Sequence, residues 1–322
     1  MRGRFAPSPS GWVHVGNALA GLLAWLSVRR QGGTMVWRLE DLDPPRVLAG
    51  AGAAAQQDMA WLGLDWDESP ELGGPHPPYA QSDCSPLYDA ALERLAAAGR
   101  LFPCHLSRKE LQSIASAPHG ADGSPPYPPE LRPRDLPADW YASTAGDAAL
   151  RFRVEDREES FHDLVQGEIR ENPAVTVGDF VLRRRDGLYA YQLAVVVDDI
   201  RMGITEVVRG CDLLDSTARQ MQLLQALGGP IPVYAHIPLV LNSAGEKLSK
   251  RDDALTLASL RDVGIVPEAL VGWLAHAVGL RDSPRPCPAA ALVADFGWRR
   301  LRQAAITLPD DPRFIAELLA TT

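Results

Sequence analysis

Disulfide chemistry has little to work with in this sequence. Its 322 residues hold four cysteines, Cys84, Cys104, Cys211 and Cys287, scattered and never in a Cys-x-x-Cys pair. That excludes a disulfide framework and points to a reducing cytoplasm as the address. Long hydrophobic runs are missing too. The longest, Ala18 to Val28, is interrupted by Gly21 and Ser27 and is too short to cross a bilayer. A secretory leader does not fit, because Pro7, Pro9 and His14 break the stretch between the basic start and that run. Nor is there an excess of positive charge. The net charge is -9, so no global field announces a nucleic-acid partner. A local basic face on an acidic body stays compatible with RNA binding, and plain solubility accounts for the acidity equally well. No internal repeat is visible.

What is present is an ordinary globular composition, 46% apolar and 23% charged, in a chain long enough for one large domain with insertions or for two. Gly3 to Pro7 reads as a strand closed by a Pro/Ser/Gly turn, and residues 15–30 as a helix. Met35 to Leu39 reads as a second strand, followed by helices over Ala49 to Leu62 and Ser85 to Ala98. This alternation predicts a parallel α/β sheet. The region Ser116 to Pro137 is dense in Pro, Gly, Ser and Asp and reads as a surface loop inside an insertion from Pro103 to Asn172. Ala149 to Val154 alternates and adds β structure there. The α/β pattern resumes at Asp179 to Arg184. Ala194 to Val197 and Ile204 to Val208 read as buried strands and Ser216 to Leu227 as a helix. From Asp252 onward the chain reads as helical, with breaks near Pro284 to Pro288.

Two segments more than 230 residues apart carry the chemistry. In the first, a strand runs through Arg4-Phe5-Ala6-Pro7-Ser8-Pro9-Ser10-Gly11 toward His14-Val15-Gly16-Asn17, where a helix begins. Backbone N–H groups at a helix start attract anions. Small residues there let a nucleotide come close, and His14 can donate to a phosphate. The second is Lys247-Leu248-Ser249-Lys250-Arg251, two lysines three apart in a loop, suited to phosphate as mobile point charges. Either alone is weak: a lone histidine at a helix start is more often a cap, and most short basic stretches are solvated surface.

In this order and separation the two segments resemble the HIGH and KMSKS signatures of class I aminoacyl-tRNA synthetases. Residues 4 to 251 look like the catalytic core of the glutamyl-tRNA synthetases. Arg38 to Pro44, Tyr191 to Asp199 and Val208 to Leu213 match that family between the two signatures, while Asn17 and Arg251 depart from it. The resemblance implies an α/β fold, a Rossmann-type parallel-sheet core in two halves, 1–102 and 173–241. An inserted α+β subdomain over 103–172 and a helical C-terminal stem-contact region over 242–322 complete it. It implies a glutamate pocket from Arg4, Phe5, Ala6, Pro7, Ser8, Glu40, Tyr191 and Arg209. Arg4 would take the side-chain carboxylate, Glu40 the α-amino group, and Arg209 with Tyr191 the other polar end. Two anion receptors and one cation receptor match free glutamate, since an unpaired buried charge costs several kcal/mol. A purely structural Arg4–Glu40 ion pair is the bland alternative, and glutamine is not excluded by charge.

The same resemblance places ATP, with its Mg²⁺, against Ser10, Gly11, His14, Gly16, Asn17 and Lys250. His14, Lys247 and Lys250 would stabilise charge growing on the phosphates. Only 71 residues follow Arg251, which is short for an anticodon-reading module. The chain is therefore similar to the glutamyl-queuosine tRNA(Asp) synthetases, and Pro7 to Gly11 and Arg184 to Tyr191 fit that subfamily. Its members activate L-glutamate without RNA and attach it to queuosine in tRNA(Asp). A family zinc site looks degenerate: Cys104 and Tyr127 stand at two positions, Leu106 and Leu131 at the others. Zinc is expected to be absent, because four strong ligands are the norm, with His105 and His119 as possible substitutes. A monomer with no membrane association is expected. Arg183, Arg184 and Arg185 are candidate RNA contacts, or equally a solvated loop. Three alternatives stay open: a glutamyl-tRNA synthetase charging tRNA(Glu), a small-molecule adenylate-forming ligase of the pantothenate type, and a non-catalytic paralogue.

Overall fold

The structure is a computed structural model that describes residues 1–107, 109–111, 127–143, 147–248 and 255–321. A six-stranded sheet organises it. In spatial order the strands are β2 (Thr34–Trp37), β1 (Arg2–Phe5), β8 (Glu206–Gly210), β9 (Val233–Ile237), β5 (Glu159–Asp163) and β6 (Gly167–Glu171). The first five run parallel, and β6 returns antiparallel to β5 as a hairpin. Both faces are covered, as a parallel sheet requires. Met35, Trp37, Val208 and Ala235 point into the larger core, and their neighbours Val36, Val207 and Tyr234 into another on the opposite side.

Helix α1 (Val15–Arg30) lies on the first face, apolar around nearly its whole circumference, as a helix buried on all sides must be. The same core takes in Leu257 and Leu260 of α6 (Leu257–Asp262), Leu270 and Leu274 of α7 (Pro267–Ala277) and Phe314 of α8 (Asp311–Leu319). A separate core gathers α3 (Ser85–Ala97), α4 (Tyr191–Arg201) and α5 (Thr217–Ala226). These pack with the antiparallel sheet β3 (Leu101–Cys104), β4 (Ala149–Phe152) and β7 (Phe180–Arg183). Helix α2 (Ala51–Trp61) joins the larger core through Ala55 and Met59.

Three expectations are corrected. The run Ala194 to Val197 is helix, part of α4, and not a strand. An unbroken apolar run carries no period that separates the two. Its surroundings decide: Ala194 N–H donates to Ala190 C=O and Met202 N–H to Asp198 C=O, and both α3 and α5 pack on it. The sheets also cross the boundaries expected at 102/103 and 172/173. Hairpin β5–β6 extends the main sheet, while β7, assigned to the resumed core, pairs with β4. Pairing partners so distant leave no local signal. Finally, the C-terminal region holds a strand, β11 (Ile306–Thr307), parallel to β10 (Val240–Leu241). The stretch 116–126 of the expected loop, with His119, lies outside the described residues.

Candidate active site

The turn after β1 is pinned to the neighbouring strand end. Arg38 N–H donates to Phe5 C=O, Glu40 N–H to Pro7 C=O and Leu48 N–H to Pro9 C=O, at 3.1, 3.0 and 2.8 Å. His14 then caps α1. Its Nδ1 accepts from Gly16 N–H at 3.1 Å and Asn17 N–H at 3.4 Å, and the Asn17 side chain accepts from His14 N–H at 3.1 Å. This reciprocal box satisfies orphan donors at the helix start. With Nδ1 accepting, a neutral ring carries its hydrogen on Nε2, a donor. A Cβ at Gly16 would sit 3.1 Å from the imidazole, so a larger residue there would push the ring from its capping position by a few tenths of an ångström.

A cleft of about 480 Å³ opens along this turn. Its walls bring together Arg4, Phe5, Ala6, Pro7, Ser8, Ser10, His14, Gly16, Asn17, Glu40, Tyr191, Arg209 and Lys247. Gly11 lies on an adjoining cleft of about 460 Å³ that shares Ser8, Ser10, His14 and Asn17 and adds the exposed Trp12. A third, of about 340 Å³, also touches Ser8 and Ser10 and runs past Glu40 and Tyr191 to Arg184 and Tyr189. Lys250 lies outside the described residues, together with Ser249 and Arg251.

At the inner end, two guanidinium groups and one carboxylate line the wall. Arg4 and Glu40 are not paired with each other. Glu40 is held by Arg38 at 3.0 Å, Arg38 reaches Asp199 at 2.6 Å, and Arg4 lies 3.6 Å from Asp199. Arg4 Nη1 donates to Val208 C=O at 3.1 Å, and its Nε is buried without an acceptor among the described residues. Burial raises the Glu40 carboxyl above its ordinary range, with Arg38 and Arg4 pulling back. Burial, then the Glu40 charge, likewise raises the Tyr191 hydroxyl. Arg209, 5% exposed, is held by neutral acceptors: Nε donates to His236 Nε2 at 3.0 Å, Nη1 to Gln220 at 2.8 Å and Nη2 to Thr217 at 2.9 Å. Arg38, Asp199, His236, Thr217 and Gln220 carry this geometry; the first two stand at the ends of segments that match the family but carry no expected role, and nothing in the sequence singles out the other three.

The chain beyond the second segment, at Thr256 and Leu257, joins the first through backbone. Leu257 N–H donates to Val13 C=O at 2.9 Å, and His14 bridges Thr256. Lys247 follows a turn closed by Asn242 N–H to Glu246 C=O at 2.8 Å, and its ammonium pairs with Asp212. Three lysines occur in the whole chain and two stand in this pentapeptide, a compositional signal that could have strengthened the motif.

Elsewhere, Cys104 and Tyr127 pack in an apolar cluster with Phe102 and Leu111, flanked by Leu106 and Leu131. Tyr127 Oη donates to Leu131 C=O at 3.1 Å. Among the described residues no three His, Cys, Asp or Glu side chains gather as a metal site, and no helix is long and apolar enough to cross a membrane. The candidate RNA arginines have partners within the chain: Arg183 with Asp89, Arg184 with Asp186, Arg185 with His105 C=O.

Parallel sheet, capped turn and paired loop are the parts of a class I synthetase. Residues 1–282 match the family described as tRNA synthetases class I (E and Q), catalytic domain, and the chain belongs to it; it is a ligase of that class. Among individual proteins, it is 48% identical over 309 residues to a glutamyl-Q tRNA(Asp) synthetase of Symbiobacterium thermophilum, covering 95% of each chain. To the protein of the same name from Nitratidesulfovibrio vulgaris it is 44% identical, covering 87% of each. A crystal structure of a glutamate tRNA ligase from Elizabethkingia meningosepticum in complex with its amino acid superposes with a TM-score of 0.82 at 26% identity. That match spans 98% of this chain and 68% of the other.

Proposed function

We propose that the protein activates L-glutamate with ATP in the absence of RNA and transfers it to the queuosine base at the wobble position of tRNA(Asp). The observation that carries this reading is the charge pattern of the inner cleft. Arg4, Arg38 and Arg209 set against Glu40 and Asp199 leave one positive charge in excess, the complement of the single net negative charge of glutamate, and a buried charge left unmet is costly. Glu40 receives the ammonium, and the guanidinium groups of Arg4 and Arg209 receive the carboxylates.

The glutamate α-carboxylate attacks the α-phosphorus of ATP and pyrophosphate leaves. No protein nucleophile takes part. The Nε2–H of His14 and the ammonium groups of Lys247 and Lys250 stabilise charge on the phosphates, a positioning and electrostatic role. Mg²⁺ enters with the triphosphate. The convergence of three clefts on Ser8 and Ser10 suits three reactants: amino acid, nucleotide, and an acceptor hydroxyl entering past Arg184 and Tyr189. The choice of acceptor follows the names of relatives matched along nearly their full length.

Labelled glutamate offered with ATP to three RNAs tests the acceptor. Label is expected on tRNA(Asp) bearing queuosine, and neither on tRNA(Asp) lacking it nor on tRNA(Glu). Charging of tRNA(Glu) would assign the chain to ordinary aminoacylation instead.

A further inference from the structure

We infer that Asp163 and His236 form a buried positioning pair that fixes the aim of Arg209 and leaves its charge unneutralised, and so govern the affinity of the cleft for a carboxylate. The inference rests on the cleft being the glutamate site proposed above. Neither side chain has any exposed surface. His236 sits on β9 directly opposite Arg209 on β8, and Asp163 arrives from β5 on the other edge of β9. The three side chains therefore cross adjacent parallel strands.

The hydrogen positions follow from the acceptors. Asp163 Oδ1 accepts from the backbone N–H groups of Val165 at 3.0 Å, Gln166 at 2.8 Å and His236 at 3.1 Å. Its Oδ2 lies 2.6 Å from His236 Nδ1. Burial alone would raise this carboxyl, but the contacts from His236 and those backbone donors outweigh it and hold it below the ordinary range. An ionised Asp163 is acceptor-only, so the hydrogen in the 2.6 Å contact belongs to Nδ1. The Nε2 lone pair then faces Arg209 Nε–H, with the Thr217 hydroxyl 3.2 Å away. This is the tautomer-fixing role that a buried carboxylate plays toward a histidine.

Charge follows from the same arrangement. The groups facing the ring are Asp163 from β5, Arg209 from β8, Arg4 from β1, Thr217 from α5, and Tyr234, stacked at 5.9 Å. Burial lowers the His236 pKa; Arg209 and Arg4 add to this, and Asp163 opposes it. A neutral ring is what Arg209 needs, since an imidazolium would set one N–H donor against another. Three of the five guanidinium N–H groups are thus spent on uncharged acceptors. One remains on each terminal nitrogen, and no carboxylate among the described residues neutralises the charge. That is a fork ready for a ligand carboxylate.

Two measurements test the pair. In free protein labelled with ¹⁵N-histidine, two-bond ¹H–¹⁵N spectra report each ring, and the His236 signals are those lost in His236→Gln. A hydrogen on Nδ1 and a bare Nε2 at about pH 8 and still at about pH 6 are expected. A hydrogen on Nε2, or on both nitrogens at pH 8, overturns the inference. In kinetics, Asp163→Asn and His236→Gln are each expected to raise the KM for glutamate about tenfold or more, with the KM for ATP within about twofold. An equal loss toward both substrates in the two variants, or no loss, would mean a structural role only. Wild-type protein that handles no glutamate would refute the proposed function, whereas the tautomer is read without substrate and stands or falls separately.

Discussion

The two ends of the cleft are built to different standards. The inner end is buried and closed before any ligand arrives. Arg38 has no exposed surface and Arg4 and Arg209 are each 5% exposed, held by strands and helices that meet from five places in the chain. The outer end is made of turns. Lys247 is 61% exposed at the side chain, sits beyond a tight hairpin, and is paired with an acid of its own protein. Preorganised charge raises selectivity because nothing rearranges when the ligand binds. A mobile lysine can instead follow a phosphate as its charge grows. On the proposed function, the comparison separates recognition of the amino acid, at buried and preformed charges, from handling of the nucleotide, at an exposed side chain.

Substitutions can break that contrast. The largest expected effect is at Arg209. Arg209→Ala strands His236, Gln220 and Thr217 around a cavity and removes one of two anion receptors. Glutamate-dependent pyrophosphate exchange should fall about 10³-fold, as losing a buried charged partner costs roughly 2–5 kcal/mol. Equilibrium ATP binding, measured by calorimetry, should be nearly unchanged. Lys250→Ala should lower the rate of adenylate formation about 10²-fold with little change in the KM for glutamate, the reverse pattern. A rise confined to that KM would place Lys250 at the wrong end.

Two smaller effects sharpen the picture. Asp58 on α2, 2% exposed, meets Arg261 of α6 at 3.3 Å, and burial outweighs that cation and raises its carboxyl to about 6. A carboxyl raised above its unfolded value favours the fold while protonated. Its contribution is present below the unfolded value near 3.8 and is lost as pH rises through about 6. Asp58→Asn should therefore stabilise the protein by about 1–2 kcal/mol at pH 8 and do little at pH 4, read from denaturant midpoints at both pH values. The smallest effect is at Asp212. Asp212→Asn releases Lys247, and since exposed pairs contribute about 0–1 kcal/mol, the KM for ATP should fall by no more than about fivefold. An increase would give Asp212 a binding role of its own.

Much of this was legible in the chain. The Pro7–Ser10 turn, His14 at a helix start and a lysine pair in a loop are local features, and their order named the reaction class. The contacts that hold the charged groups of the site in place were not legible, because their meaning lies in partners far away. Arg38 and Asp199 are 161 positions apart, and Asp163 and His236 are 73. Arg4 and Glu40 carry the charges expected at those positions, yet Glu40 is bound by Arg38, which stands in a matched segment with no role assigned to it. The run Ala194 to Val197 misled for a related reason: apolar on every side, it describes burial and says nothing of period. The placement of hairpin β5–β6 on the main sheet was equally invisible, since strand pairing across 70 residues leaves no mark on either strand.

The central claim is a cavity that meets both acidic groups of glutamate before any RNA is present. Exchange of labelled pyrophosphate into ATP, with purified protein, Mg²⁺ and no RNA, tests it most directly. Robust exchange with L-glutamate, and at least about 10²-fold less with L-glutamine, is the predicted result. Equal exchange with the two amino acids, or exchange that begins only when RNA is added, would contradict it.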